Sequence, residues 1–205
     1  MSSYYRQQLE NWLKTIDVKA DRVLDVGGAQ LPVKGRTKSW NVKEYRIFDL
    51  KKPHQKNAKV DVAIDLNKKL LLLRSDIHRY FDVIFCLEVF EYIWNPVQAL
   101  ENLYEMGNCT DCVGTKEGDT SIYYLSFPFI YPHHNPKGKD YLRYTRWGIE
   151  KLLKETGFEI LEVQSRVMTP EGFKNWKDFL RNEKMHPVKD YPHNEIGYCV
   201  TAKKL

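Results

Sequence analysis

Four short apolar runs, each ending in a glycine or an acidic residue, constrain the fold of this 205-residue chain more than any other feature. Residues 22–26 (RVLDV) run into Gly27-Gly28, 45–48 (YRIF) into Asp49, 60–64 (VDVAI) into Asp65, and 81–87 (FDVIFCL) into Glu88. Short segments of nearly continuous apolar character suit strands covered on both faces of a parallel sheet. Further strands are expected over 122–127, 158–163 and 197–202.

Helical segments alternate with these runs. Tyr5, Leu9, Trp12, Leu13 and Ile16 recur at helical spacing, so an amphipathic helix is expected over 4–17. Asn95-Pro96 reads as a cap followed by proline at the first helical position, ahead of Val97, Leu100, Leu103 and Tyr104. Thr145 caps a stretch carrying Ile149, Leu152 and Leu153, with Gly157 as its stop. Phe173, Trp176, Phe179 and Leu180 form another stripe within 165–196, an insertion between the last two strands and the expected place for a substrate lid. The expectation is one α/β domain over 1–205 with helices on both faces of the sheet.

Composition removes other classes. The longest apolar run, 70–73, is far too short to cross a bilayer. Four cysteines cannot staple a chain of this length, and MSSYYRQQLENW lacks the layout of a secretory signal. A soluble, cytoplasmic protein is expected. Cys109 and Cys112 make half of a zinc site with no second pair, so no metal is expected. Residues 31–60 hold nine Lys/Arg against Glu44 and Asp49, a local excess of +7 beyond the +5 of the whole chain. A solvated face gives the same pattern. The functional alternative is steering of an anionic acceptor, with nucleic acid one of the anions this charge would attract.

In open α/β sheets the ligand sits outside the carboxyl ends of the strands. Glycines after the first strand let backbone approach a ligand, and Asp49, 24 residues beyond Asp25, is placed to accept from ribose hydroxyls. Taken in order, RVLDVGG, YRIFDL, VDVAIDLN and FDVIFCLEVFEYIWNPVQAL resemble the first four motifs of class I methyltransferases that use S-adenosylmethionine, in the type-11-like branch. GYCVTAKK resembles the antiparallel last strand of that fold. The resemblance implies a Rossmann-like, seven-stranded, mostly parallel sheet. It also implies a cofactor site made of Asp25, Gly27, Gly28 and Ala29, then Asp49 with Leu50, Asp65 with Leu66, and Leu87, Glu88 and Val89. The chain departs from the family in three places, one of them the loop before the fifth strand, which reads GNCTDCVGTKEGDT where a Pro-Gly-Gly is usual. Ala29 and Leu31 stand where glycines are usual, with Leu31-Pro32 predicting a short or irregular helix, and Tyr92 stands where a histidine is common.

His133 and His134 follow the fifth strand at the ligand end of the sheet, and either is a candidate base. Asp140 and Arg143, in a stretch resembling the family's Asp-Tyr-x-Arg-x-Thr segment, are expected to form a structural ion pair. The implied activity is methyl transfer to an oxygen or nitrogen of a small-molecule or anionic acceptor. The alternatives are a non-catalytic cofactor- or nucleotide-binding module and a nicotinamide-dependent oxidoreductase. The last requires a Gly-x-Gly-x-x-Gly turn that 27–32 does not contain.

Overall fold

The computed structural model describes residues 3–53, 59–70, 77–108, 120–133, 136–183 and 193–205. Its seven strands are β1 (Asp17–Val26), β2 (Ser39–Asp49), β3 (Val62–Ala63), β4 (Val83–Cys86), β5 (Ile122–Pro128), β6 (Phe158–Val167) and β7 (Glu195–Lys204). They form one sheet in the order β3-β2-β1-β4-β5-β7-β6. All neighbours are parallel except β7, which runs antiparallel to both β5 and β6. This is the mostly parallel sheet with a reversed strand expected from the sequence.

Successive strand residues face opposite sides, and both sides are buried. Leu24, Val26, Ile84, Cys86 and Leu125 pack with Leu100 and Leu103 of α2 (Pro96–Met106) and with Ile149 and Leu153 of α3 (Arg146–Glu155). Val23, Val83 and Phe85 pack on the other side with Leu9, Trp12 and Leu13 of α1 (Tyr4–Leu13). The helices start where their caps dictate. Ser3, Asn95 and Thr145 accept from the backbone N–H three residues on. Thr169 does the same for α4 (Pro170–Asn182). Among the described residues no helix is long and apolar enough to cross a membrane.

Several boundaries differ from the sequence reading. α1 ends at Leu13 rather than 17, because Asp17 already pairs with Ser39 as the first residue of β1. That half of β1 carries polar side chains that meet partners on or just before β2: Lys38 reaches Asp17 at 2.7 Å and Lys43 reaches Asp21 at 2.9 Å. Apolar continuity could not reveal a strand whose lateral contacts are ionic. β6 runs on to Val167, so the first residues assigned to the insertion are strand. Asp82 lies just before β4, not within it; its carboxylate accepts from Arg22 N at 2.8 Å and Arg22 Nη2 at 3.0 Å.

After β1 the expected short helix is absent, and 27–38 is a series of turns. Pro32 has no N–H to give a helix. The N–H of Val33 goes to the Asp25 carboxylate at 2.7 Å instead. On that face of the sheet α1 supplies the cover.

Candidate functional site

Outside the carboxyl ends of β1, β2, β3 and β4 lies a cleft of about 980 Å³. Asp25, Gly27, Gly28, Asp49, Leu50, Asp65, Leu66, Leu87, Glu88 and Val89 line it. Ala29 does not; its N–H donates to Asp49 Oδ2 at 3.2 Å, holding the turn after β1 to the end of β2. The other Asp49 oxygen accepts from Leu50 N at 2.7 Å.

Two glycines make the turn possible. Gly27 has φ +78°, and a Cβ there would stand 2.3 Å from Val89 Cγ2. A Cβ at Gly28 would meet Asp25 Oδ2 at 2.2 Å. That carboxylate is buried, and Oδ2 accepts from Tyr45 Oη at 2.6 Å as well as from Val33 N. Burial pushes Asp25 up to about 6, while the Tyr45 hydroxyl and the Val33 amide pull it back.

The turn after β4 is held from behind. Glu88 is a non-glycine residue at φ +55°. Its N–H donates to Ser126 Oγ at 2.7 Å, and its Oε1 accepts from that hydroxyl at 2.9 Å and from Arg166 Nη1 at 2.9 Å. Three contacts from β5 and β6 thus over-determine a backbone conformation that would otherwise be unfavourable. The Arg166 side chain is 1% exposed, and its guanidinium lies 3.7 Å above the Tyr5 ring. Tyr5 also packs against Tyr131, centroids 4.3 Å apart. Tyr5 Oη and Arg166 Nε and Nη2 have no hydrogen-bond partner among the described residues. Farther along, Asn67 Oδ1 accepts from Trp94 N at 2.8 Å, tying the segment after β3 to the one after β4.

The rest of the wall comes from elements the motifs do not cover. Tyr5 and Arg6 reach it from α1 and Ser3 from its cap, Arg36 from the turns after β1, and Tyr131, Lys139 and Tyr141 from the segment after β5. The last three follow a strand's carboxyl end, which was the available signal. The α1 residues had none, because nothing local says where a leading helix will dock. Tyr92 also lines the cleft, and burial pushes its phenol up to about 12, so it keeps its proton at neutral pH.

The candidate bases fare differently. His133 is 94% exposed, lies 3.6 Å from Asp140, and does not line the cleft; His134 lies outside the described residues. Asp140 is held by Arg143, with Nη2 to Oδ2 at 2.7 Å, and Arg143 also donates to the carbonyls of Tyr131 and Pro132. Cys109 and Cys112 lie outside the described residues, while Cys86 and Cys199 are buried free thiols. Within the basic stretch, Lys38 and Lys43 are paired as above, Arg46 with Glu44, and Lys59 with Asp61 at 3.5 Å. Lys51 and Lys52 are exposed and do not line the cleft, and Arg36 is the one basic residue of the stretch that lines it among the described residues.

No protein-family model matches the chain, and no curated protein sequence matches it. Solved structures match it by shape. An S-adenosylmethionine-dependent methyltransferase from Mesorhizobium loti superposes with TM-score 0.59 at 11% identity, covering 98% of each chain. Phosphoethanolamine N-methyltransferase 2 of Haemonchus contortus, solved with S-adenosyl-L-methionine, superposes with TM-score 0.53 at 13% identity over 98% of this chain and 52% of its own. The cyclase SpnF gives TM-score 0.52 at 14% identity over 96% of this chain and 80% of its own. At these identities the likeness establishes architecture: the chain has the Rossmann-like fold of class I methyltransferases. That a cyclase shares it means the reaction has to be argued from the site.

Proposed function

We propose that this protein is an S-adenosylmethionine-dependent methyltransferase acting on an oxygen or nitrogen nucleophile of an anionic small-molecule acceptor. The observation that carries the reading is the bare glycine turn at Gly27-Gly28, tied through Ala29 to Asp49 at the mouth of a cleft large enough for a nucleoside and a second small molecule. The residues present fit the cofactor. Asp25 and the turn amides would hold its amino-acid end, Asp49 and Leu50 its ribose, and Asp65 and Leu66 its adenine, with Leu87, Glu88 and Val89 along one wall.

Bound S-adenosylmethionine supplies an electrophilic methyl group on a cationic sulfur. The chain's own part is to orient the acceptor and exclude water. Tyr92, protonated at neutral pH, cannot take a proton from the acceptor. In this reading desolvation and alignment carry most of the rate. The oxidoreductase alternative is disfavoured by the turns of 27–38, because a dinucleotide pyrophosphate is usually met by a helix N-terminus after β1.

Calorimetric titration with S-adenosylmethionine and with NADH tests the proposal. The protein should bind the first and not the second; NADH binding without S-adenosylmethionine binding overturns it. Cofactor binding with no S-adenosylhomocysteine formed across carboxylate, phosphate and amine acceptors would instead assign a non-catalytic binding module.

A further inference from the structure

The cleft is charged unevenly. Asp25, Asp49, Asp65, Glu88 and Glu91 stand at or just after the strand ends, whereas Arg6, Arg36 and Lys139 enter from other walls. The two arginines share one carboxylate. Glu10, one turn along α1 from Arg6, accepts from Arg36 Nη2 at 2.7 Å and Nε at 3.1 Å, and its Oε1 lies 3.5 Å from Arg6 Nε. Arg36 spends a further donor, Nη1, on Leu31 O. The group therefore carries a net positive charge at the cleft. Arg6 contributes the open end of it, since neither of its Nη atoms has a partner among the described residues.

We propose that Arg6, steadied by the Glu10–Arg36 clamp, is an anion subsite that takes a carboxylate or phosphate on its free nitrogen pair. The proposal rests on the methyl-transfer reading. The anion belongs either to the acceptor or to the amino-acid end of S-adenosylmethionine, and the chemistry is the same in both cases. A guanidinium offers parallel N–H donors that match two oxygens of either group. The Glu10 carboxylate approaches Arg6 at Nε, which leaves the Nη pair to a ligand and removes part of the ordering cost of binding. Arg36 is the poorer ligand because three of its donors are engaged. Lys139 adds positive potential on the same cleft, with no carboxylate of the described residues in salt-bridge range.

The test is calorimetry on wild type, Arg6→Gln and Lys43→Gln. Lys43→Gln removes the same charge from an exposed pair with Asp21 on the flank of the sheet. Three probes are used: S-adenosylhomocysteine, which has the carboxylate; methylthioadenosine, which lacks it; and inorganic phosphate added to protein saturated with methylthioadenosine. Loss of one charge-assisted pair should weaken the relevant probe about tenfold or more. If the site serves the cofactor, Arg6→Gln weakens S-adenosylhomocysteine and leaves methylthioadenosine unchanged. If it serves the acceptor, both nucleosides bind as in wild type and phosphate weakens. Unchanged affinity for both S-adenosylhomocysteine and phosphate in Arg6→Gln overturns the subsite, as does an equal loss in Lys43→Gln. Wild type binding neither nucleoside would sink the cofactor reading instead, and titrating phosphate alone would then still decide the role of Arg6.

Discussion

The Cγ2 methyl of Val89 occupies the space that a Cβ on Gly27 would need, 2.3 Å from its ideal position. The turn after β1 and the turn after β4 are therefore interlocked, and the second is itself fastened to β5 and β6 through Glu88. One wall of the cleft thus has its shape set by residues far apart in sequence, Gly27 and Val89 being 62 positions from each other.

Gly27→Ala should be costly for two separable reasons. An L side chain at φ +78° loses about 1–2 kcal/mol, and the clash with Val89 adds about 1–3 kcal/mol. Adding Val89→Ala should relieve the second part and leave the first. Urea midpoints of the two singles and the double check this; a double no more stable than Gly27→Ala would mean the interlock contributes nothing.

Asp49→Ala should weaken S-adenosylmethionine by about 10- to 100-fold, since a charge-assisted hydrogen bond is worth about 1.5–3 kcal/mol. The fold should suffer modestly, because among the described residues the carboxylate accepts only from the amide of its neighbour Leu50 and from that of Ala29 in the turn after β1. Asp82→Ala should behave in reverse. Its carboxylate holds both the backbone and the guanidinium of Arg22 at the far end of the sheet, so about 1–3 kcal/mol of stability goes while affinity stays. Calorimetry and thermal unfolding of both variants read the contrast, and wild-type affinity in Asp49→Ala would displace the cofactor from β2.

Asp25 sets a pH dependence with a definite sign. Burial raises its pKa in the fold from 3.8 to about 6, so the folded chain holds this proton more tightly than the unfolded chain. Its contribution is fully present below about 3.8 and is lost as pH rises through about 6. Against Asp25→Asn, wild type should therefore lose on the order of 2–3 kcal/mol between pH 4 and pH 7. Tyr45→Phe removes a hydrogen bond that favours the carboxylate, and should extend this loss to higher pH. A wild-type-minus-Asp25→Asn difference flat in pH would show that Asp25 is not desolvated.

Breaking the Glu88–Arg166 pair from one side should be worse than removing it. The Arg166 side chain is 1% exposed and that of Glu88 18%, so a single neutral substitution leaves one charge uncompensated at a cost of about 3–5 kcal/mol. Arg166→Met with Glu88→Gln should lose clearly less than the two singles summed. Additive losses in a double-mutant cycle would argue that the two side chains act independently.

The strand ends were legible because their signals are local. A short apolar run followed by glycine or an acid places that residue at a strand's carboxyl edge, and ten of the eleven residues expected to hold the cofactor do line the cleft. Ala29 was the exception: its amide turns toward Asp49, a contact between two strand ends that no local pattern contains. The charge of the basic stretch was not legible for a related reason. Counted along the chain it has an excess of +7, yet its lysines on and beside β2 lie against Asp17 and Asp21 of β1, which that count leaves out.

The sequence by itself determined the class of sheet, the caps that start each helix, and the acids and glycines that border the cleft. These follow from side-chain period and from hydrogen bonds closed within three or four residues. Only the tertiary structure decided that α1 would wall the cleft, that Arg166 would stand behind Glu88, and that Glu10 would gather Arg6 and Arg36. Each of these joins segments whose approach is set by how the whole sheet packs, and the charge or ring at either end carries no mark of the partner it will meet.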